Sequence, residues 1–106
     1  MWKTRYLIIT IIVAMILAPQ AVAGDKFWLL VFDKNGNPAS DVSIEIWNDG
    51  DRIDSGYTDS EGKYVSWLDS NIRYKITANR NEQTAEWEDY PNSNNHNIRI
   101  YMHERS

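Results

Sequence analysis

A chain of 106 residues has room for one domain. It holds no cysteine, which excludes disulfide staples, thiolate metal centres and thiol chemistry. Its 15 Asp and Glu outnumber 11 Lys and Arg, and that excess argues against a nucleic-acid partner, because an acidic surface repels phosphate.

The chain opens with Lys3 and Arg5, followed by an apolar run from Leu7 to Leu17 broken only by Thr10. Pro19 then leads to Ala21-Val22-Ala23 ahead of Gly24. This is the layout of a secretory signal peptide, so residues 1–23 are predicted to form a signal helix and 24–106 the working domain. An uncleaved anchor is the alternative and the only expected route to a membrane; the apolar run is short of the ~20 residues a spanning helix needs. The expected location is secreted or cell-surface. Without residues 1–23, Lys3 and Arg5 are lost, so 11 basic residues become 9 against 15 acidic, a net charge of −6. Nothing in this part forms a basic stripe that would argue for an anionic lipid surface. With no disulfide, packing must hold the domain. Five Trp, six Tyr and two Phe in the whole chain make that feasible, since each ring buries ~150–250 Å².

Phe27 to Phe32 is apolar and aromatic and reads as a first strand. Asp33-Lys34-Asn35-Gly36-Asn37-Pro38 is concentrated turn chemistry. Val42 to Trp47 alternates, with Val42, Ile44 and Ile46 on one face. Asn48-Asp49-Gly50-Asp51 carries the Asp-Gly hairpin signal. Arg52 to Thr58 is a more polar strand, expected near an edge. A second tight turn, Asp59-Ser60-Glu61-Gly62-Lys63, precedes a strand over Tyr64 to Leu68. Tyr74 to Ala78, Thr84 to Glu88 and Ile98 to Met102 complete the set, and the polar run from Tyr90 to Asn97 reads as a mobile loop. Seven short strands with turn signals every ~8–12 residues predict an all-β, seven-stranded antiparallel β-sandwich.

Val31, Asp33, Gly36 and Pro38, then Val42 and Ile44, resemble the V-x-D-x-x-G-x-P…V-x-V opening of carboxypeptidase regulatory-like domains. Thr58-Asp59-x-x-Gly62-x-Tyr64 is similar to their T-D-x-x-G-x-Y turn, and Leu68 with Tyr74-x-Ile76-x-Ala78 to the strand that follows. Asn71-Ile72 stands where that family usually has Pro-Gly. The resemblance spans Phe27 to Asn79. It implies a prealbumin-like sandwich, related to transthyretin, that serves as an accessory, surface or binding module without catalysis or cofactor. Each motif residue has a structural task under this reading: Gly62 supplies a conformation other residues avoid, and Asp59 accepts backbone N–H groups.

Chemistry beyond the fold finds little support. Relatives in the collagen-adhesin B-type repeats crosslink Lys to Asn beside a carboxylate, but the corresponding positions here are Val31 and Ala78. The hydroxyisourate hydrolases share the fold and need an early His, and none precedes His96 in the mature part. His96 and His103 are too scattered for zinc. Asp49, Asp51 and Asp54 are a weak calcium candidate, since D-x-D-x-x-D lacks the later Glu and fixed Gly of an EF-hand. An enzyme would have to be assembled from Asp54, Asp59 and Glu61, which turn geometry already explains.

The most suggestive feature is aromatic. Alternation points Trp28, Trp47, Trp67 and Tyr101 away from the core, and outward rings offer a surface for a partner. The expected function is therefore a non-catalytic exported binding or structural module making protein contacts through an apolar edge or these rings. Carbohydrate recognition through Trp28, Trp47 and Trp67 is the alternative.

Overall fold

A computed structural model describes residues 24–105; the expected signal helix lies outside the described residues. Eight strands follow in order: β1 (Asp25–Phe32), β2 (Ser43–Asn48), β3 (Asp51–Tyr57), β4 (Lys63–Leu68), β5 (Tyr74–Arg80), β6 (Gln83–Asp89), β7 (Asn97–Tyr101) and β8 (His103–Glu104). They form two sheets, a three-stranded one ordered β4-β1-β7 and a five-stranded one ordered β3-β2-β5-β6-β8.

The all-β, two-sheet expectation holds, with two corrections. There are eight strands among the described residues, not seven. Met102, buried against the core, carries the chain out of β7, and His103–Glu104 then joins the edge of the other sheet opposite Gln83 and Thr84. A two-residue strand is too short for its alternation to be read. The second correction is that β7 pairs with β1 in parallel, from Trp28↔Asn97 to Phe32↔Tyr101. All other strand pairs are antiparallel. Side-chain alternation is the same in either direction, so the sequence pattern is blind to this.

The core lies between the sheets. Phe27, Leu29 and Val31 of β1 are fully or almost fully buried against Ile44 and Ile46 of β2 and Ile76 and Ala78 of β5. Ile98 and Ile100 of β7 stand beside Leu29 and Val31, and Leu68 and Met102 complete the cluster. Burying each large aliphatic or Phe side chain contributes ~1.5–3 kcal/mol. Trp87, which alternation on β6 places opposite Ile76, packs half-buried on the same cluster.

Two turns of one design lead out of β1 and into β4. In the first, Asp33 Oδ1 accepts the N–H groups of Asn35 and Asn37, both at 2.9 Å, while Gly36 N donates to Asp33 O at 2.9 Å. In the second, Asp59 Oδ1 accepts the N–H groups of Glu61 and Lys63, also at 2.9 Å, and Gly62 N donates to Asp59 O at 3.0 Å. Gly36 and Gly62 have φ of +84° and +77°, the left-handed region glycine enters without strain. The Lys63 and Glu61 N–H groups, in that order, hold the Asp59 carboxyl below the ordinary Asp range.

A depressed carboxyl contributes stability above its unfolded value and loses it as pH falls through its folded value. The domain is therefore expected to lose stability below about pH 3.8, and Asp59→Asn to flatten that acid limb. Urea midpoints measured between neutral and acid pH check this; equal slopes for both proteins would show that the Asp59 charge plays no part.

Thr58, 3 % exposed, ties the crossing between the sheets. Its Oγ1 donates to Ala39 O at 2.6 Å and accepts Val42 N at 3.0 Å. Asp69 organises the turn before β5, where Asn71-Ile72 stands. Its Oδ1 accepts Asn71 N at 2.8 Å and its own N–H donates to the Tyr74 hydroxyl at 2.9 Å, while Ile72 packs on the core.

Candidate functional site

The three-stranded sheet turns one face to the core and the other to solvent. Outward positions on β1 are Lys26, Trp28, Leu30 and Phe32; on β4, Lys63, Val65 and Trp67; on β7, Asn97, Arg99 and Tyr101. Register arranges them in rows. Lys26 is opposite Trp67, Trp28 lies between Val65 and Asn97, Leu30 between Lys63 and Arg99, and Phe32 beside Tyr101. Rows are ~6.8 Å apart along a strand and columns ~4.8 Å apart across the sheet, so side chains in neighbouring cells touch.

Rings and cations interlock on this face. Lys26 Nζ lies 4.7 Å from the Trp28 ring centroid and Lys63 Nζ lies 6.0 Å from it. An ammonium held over an indole face is attracted by the ring quadrupole, worth ~0.5–1 kcal/mol at an exposed site. Phe32 and Tyr101 stack with centroids 4.9 Å apart and planes 17° from parallel. That separation matches the strand spacing, so the two rings stand side by side as a wall at one end of the face. Trp67 and Tyr101 are 59 % and 57 % exposed. Two shallow hollows meet at Leu30 and Lys63. One, about 440 Å³, runs to Phe32, Pro38 and Glu61; the other, about 330 Å³, runs to Trp28 and Asn97.

The charge of this face differs from that of the domain around it. No outward strand position carries a carboxylate. The nearest acid is Glu61 on the rim, 3.7 Å from Lys63 Nζ. With Lys26, Lys63 and Arg99 on this face and Glu61 on its rim, the other six of the nine basic residues share the rest of the domain with the other 14 of the 15 acids.

Trp47 is not part of this surface. It points outward from β2, in the other sheet, in register with Lys75 and Arg52. The structure therefore brings Trp28, Trp67 and Tyr101 together and sets Trp47 on the opposite side of the sandwich, because alternation tells inside from outside but not one sheet from the other. The Trp47 face is a lattice of paired charges: Arg52–Glu45 at 3.0 Å, Arg73–Glu88 at 2.9 Å and Lys75–Glu86 at 3.9 Å. Such exposed pairs neutralise the face and contribute little each. A reading confined to the tryptophans and Tyr101 misses Lys26, Leu30, Phe32, Lys63, Val65 and Arg99. The Lys-x-Trp-x-Leu-x-Phe alternation from Lys26 to Phe32 was the available signal.

The aspartates proposed for calcium separate. Asp49 and Gly50, with φ of 51° and 86°, form the two-residue tip of the β2–β3 hairpin, the left-handed pair such a turn requires. Asp54 points instead between the sheets, where its Oδ1 accepts the Tyr64 hydroxyl at 2.9 Å and its Oδ2 accepts the Ser66 hydroxyl at 2.7 Å. Burial, and then this donation to Asp54, push the Tyr64 phenol up to about 12. Among the described residues no three His, Asp or Glu converge as a metal would require. His96 packs on Phe27 with centroids 5.0 Å apart, and its Nε2 lies 4.0 Å from Asp25 Oδ2. His103 Nδ1 lies 3.0 Å from Glu104 O. Asp54, Asp59 and Glu61 do not form one carboxylate site, since the first two are committed to Tyr64, Ser66 and turn N–H groups and the third is exposed beside Lys63.

No family model matches the chain, and no curated protein is significantly similar to it.

Proposed function

We propose that this is an exported, non-catalytic binding module of the carboxypeptidase regulatory-like, prealbumin-like kind. It holds a macromolecular partner at or outside the cell surface through the outer face of the β4-β1-β7 sheet. The observation that carries this reading is the gathering of Trp28, Trp67, Phe32 and Tyr101 with Lys26, Lys63 and Arg99 on one face of an otherwise acidic domain. Trp, Tyr and Arg side chains, which this face supplies as Trp28, Trp67, Tyr101 and Arg99, dominate the energetics of contact surfaces. An apolar edge is the weaker surface. On β3, Ile53 and Tyr57 are 49 % and 69 % exposed, but they stand among Asp51, Arg52 and Ser55 on a polar strand.

Radical footprinting of the protein in the envelope of the cells that produce it, against the purified protein, checks the assignment. Trp67 and Tyr101 are expected to be protected in the envelope, with Trp47 and Tyr57 equally reactive in both. Protection at Trp47 and Tyr57 instead would move the working surface to the other sheet.

A further inference from the structure

The chemistry of the face narrows its ligand. We infer that the outer face of the β4-β1-β7 sheet takes an acidic polysaccharide, a chain of sugar rings bearing carboxylates, with its carboxylates on Lys26, Lys63 and Arg99 and its rings against Trp67, Leu30 and the Phe32–Tyr101 wall. The inference rests on the reading that this face is the working surface.

Three observations favour a sugar polymer over other polyanions. The first is charge: three cations stand on outward strand positions that hold no carboxylate, in a domain whose net charge is −6. A neutral ligand would leave Lys26 and Arg99, which form no ion pair among the described residues, without a counter-charge, and the acidic excess of the remaining domain disfavours an anion over most of its other surface. The second is placement. β1 is the central strand, with its N–H and C=O groups taken by β4 on one side and β7 on the other. The face therefore offers side chains only, whereas an extended peptide draws affinity from main-chain groups at a free sheet edge. The third is relief. Trp28, Leu30, Phe32 and Val65 are half-buried and lie among their neighbours, with Trp28 lying beneath two ammonium groups. Burial in a bilayer interface needs apolar side chains that reach ~5–10 Å into it, and only Trp67 and Tyr101 are more than half exposed here. What the face does offer is two shallow hollows that meet at Leu30 and Lys63, the larger with Glu61 at its rim and the smaller lined by Trp28 and Asn97 without a carboxylate.

The ammonium groups are pre-positioned. Lys26 and Lys63 approach the same indole, so less side-chain freedom is lost when a carboxylate arrives between them. Trp28 is thus a positioning residue, and Trp67 the exposed platform.

The test titrates the intact protein with polygalacturonate, its fully methyl-esterified form, polyglutamate and phosphatidylglycerol-containing vesicles, read by tryptophan fluorescence and calorimetry. Polygalacturonate is expected to bind, with affinity falling severalfold as salt rises, because exposed charges are screened. The ester, which keeps the rings and loses the charge, is expected to bind about tenfold more weakly. Lys26→Gln with Lys63→Gln should lower polygalacturonate affinity about tenfold, and Trp67→Ala should lower it as well, while Trp47→Ala leaves it unchanged. Equal binding of ester and acid would overturn the proposal in favour of a neutral glycan. Polyglutamate bound as tightly as polygalacturonate would replace it with an acidic protein segment, and co-sedimentation with the vesicles would replace it with a lipid surface. If no polymer binds while Trp67 and Tyr101 remain protected in the cell envelope, the sugar assignment fails and the surface assignment survives. If that protection is absent too, both fail.

Discussion

Gly62→Ala is expected to be among the most damaging single substitutions in the domain, at about 2–5 kcal/mol. Two costs add. A β-carbon at φ +77° meets the steric penalty of the left-handed region, ~1–2 kcal/mol. It would also lie 2.7 Å from Val31 O and 2.9 Å from Ala39 N, both backbone atoms that cannot swing away. Overpacking of this kind costs ~1–3 kcal/mol. Gly62 stands that close because its own carbonyl accepts Val31 N at 2.8 Å, docking the turn onto the end of β1. Gly36 is the internal control. It occupies the same position in the twin turn at φ +84°, but a β-carbon there would meet nothing within 4 Å, so Gly36→Ala should cost only the ~1–2 kcal/mol of conformation. For a domain of this size each kcal/mol lowers Tm by roughly 4–8 °C, so thermal melts of the two variants separate the contributions. Equal losses would show that the turn does not dock as described.

Asp54→Ala is expected to cost about 2–3 kcal/mol, because it opens the side of the sandwich where β3 and β4 meet. Both are edge strands, one in each sheet. Asp54 spans them by accepting the Tyr64 and Ser66 hydroxyls. Ser66 is 4 % exposed, so its hydroxyl cannot turn to water once the carboxylate is gone. A buried donor left without an acceptor costs ~1–3 kcal/mol; Asp54 itself is half-buried, which lets water recover part of the Tyr64 bond. Gly56 belongs to the same latch. A β-carbon there would lie 2.5 Å from Tyr64 Cε1, so the glycine leaves the space the ring occupies.

The latch also has an alkaline signature. Tyr64 is raised to about 12, by burial first and by donation to Asp54 second. A group whose folded value is raised stabilises the fold fully below its unfolded value of about 10 and loses that contribution as pH climbs through the folded value. The native protein is therefore expected to weaken between about pH 10 and 12. In Asp54→Ala, the phenolate absorbance of Tyr64 should rise at lower pH than in the parent, though not fully to the ordinary range, since burial remains. An unchanged titration would remove Asp54 as a cause.

Local chemistry in the sequence reaches far in this protein. Alternation alone put Val42, Ile44 and Ile46 on one face, and all three are buried. The turn at Asp33 and the turn at Asp59 were both legible, because an Asp accepting N–H groups two and four residues ahead, with a glycine at the third, is a geometry contained within five residues. The role of Asp54 was not legible, for the opposite reason. It sits near Asp49 and Asp51 in sequence, but its partners, Tyr64 and Ser66, are 10 and 12 residues away on another sheet.

The sequence by itself determined where strands run, which side chains face inward and how the tight turns close, since these depend on neighbours a few residues apart. Only the tertiary structure decided which sheet each strand joins, that β7 lies parallel to β1, and that Trp28, Trp67 and Tyr101 share a face with three cations while Trp47 does not. The physical reason is that a period of two distinguishes two faces of a strand. Which strand lies alongside is settled by packing between residues far apart in the chain, and the surface proposed to bind a partner is made by that choice.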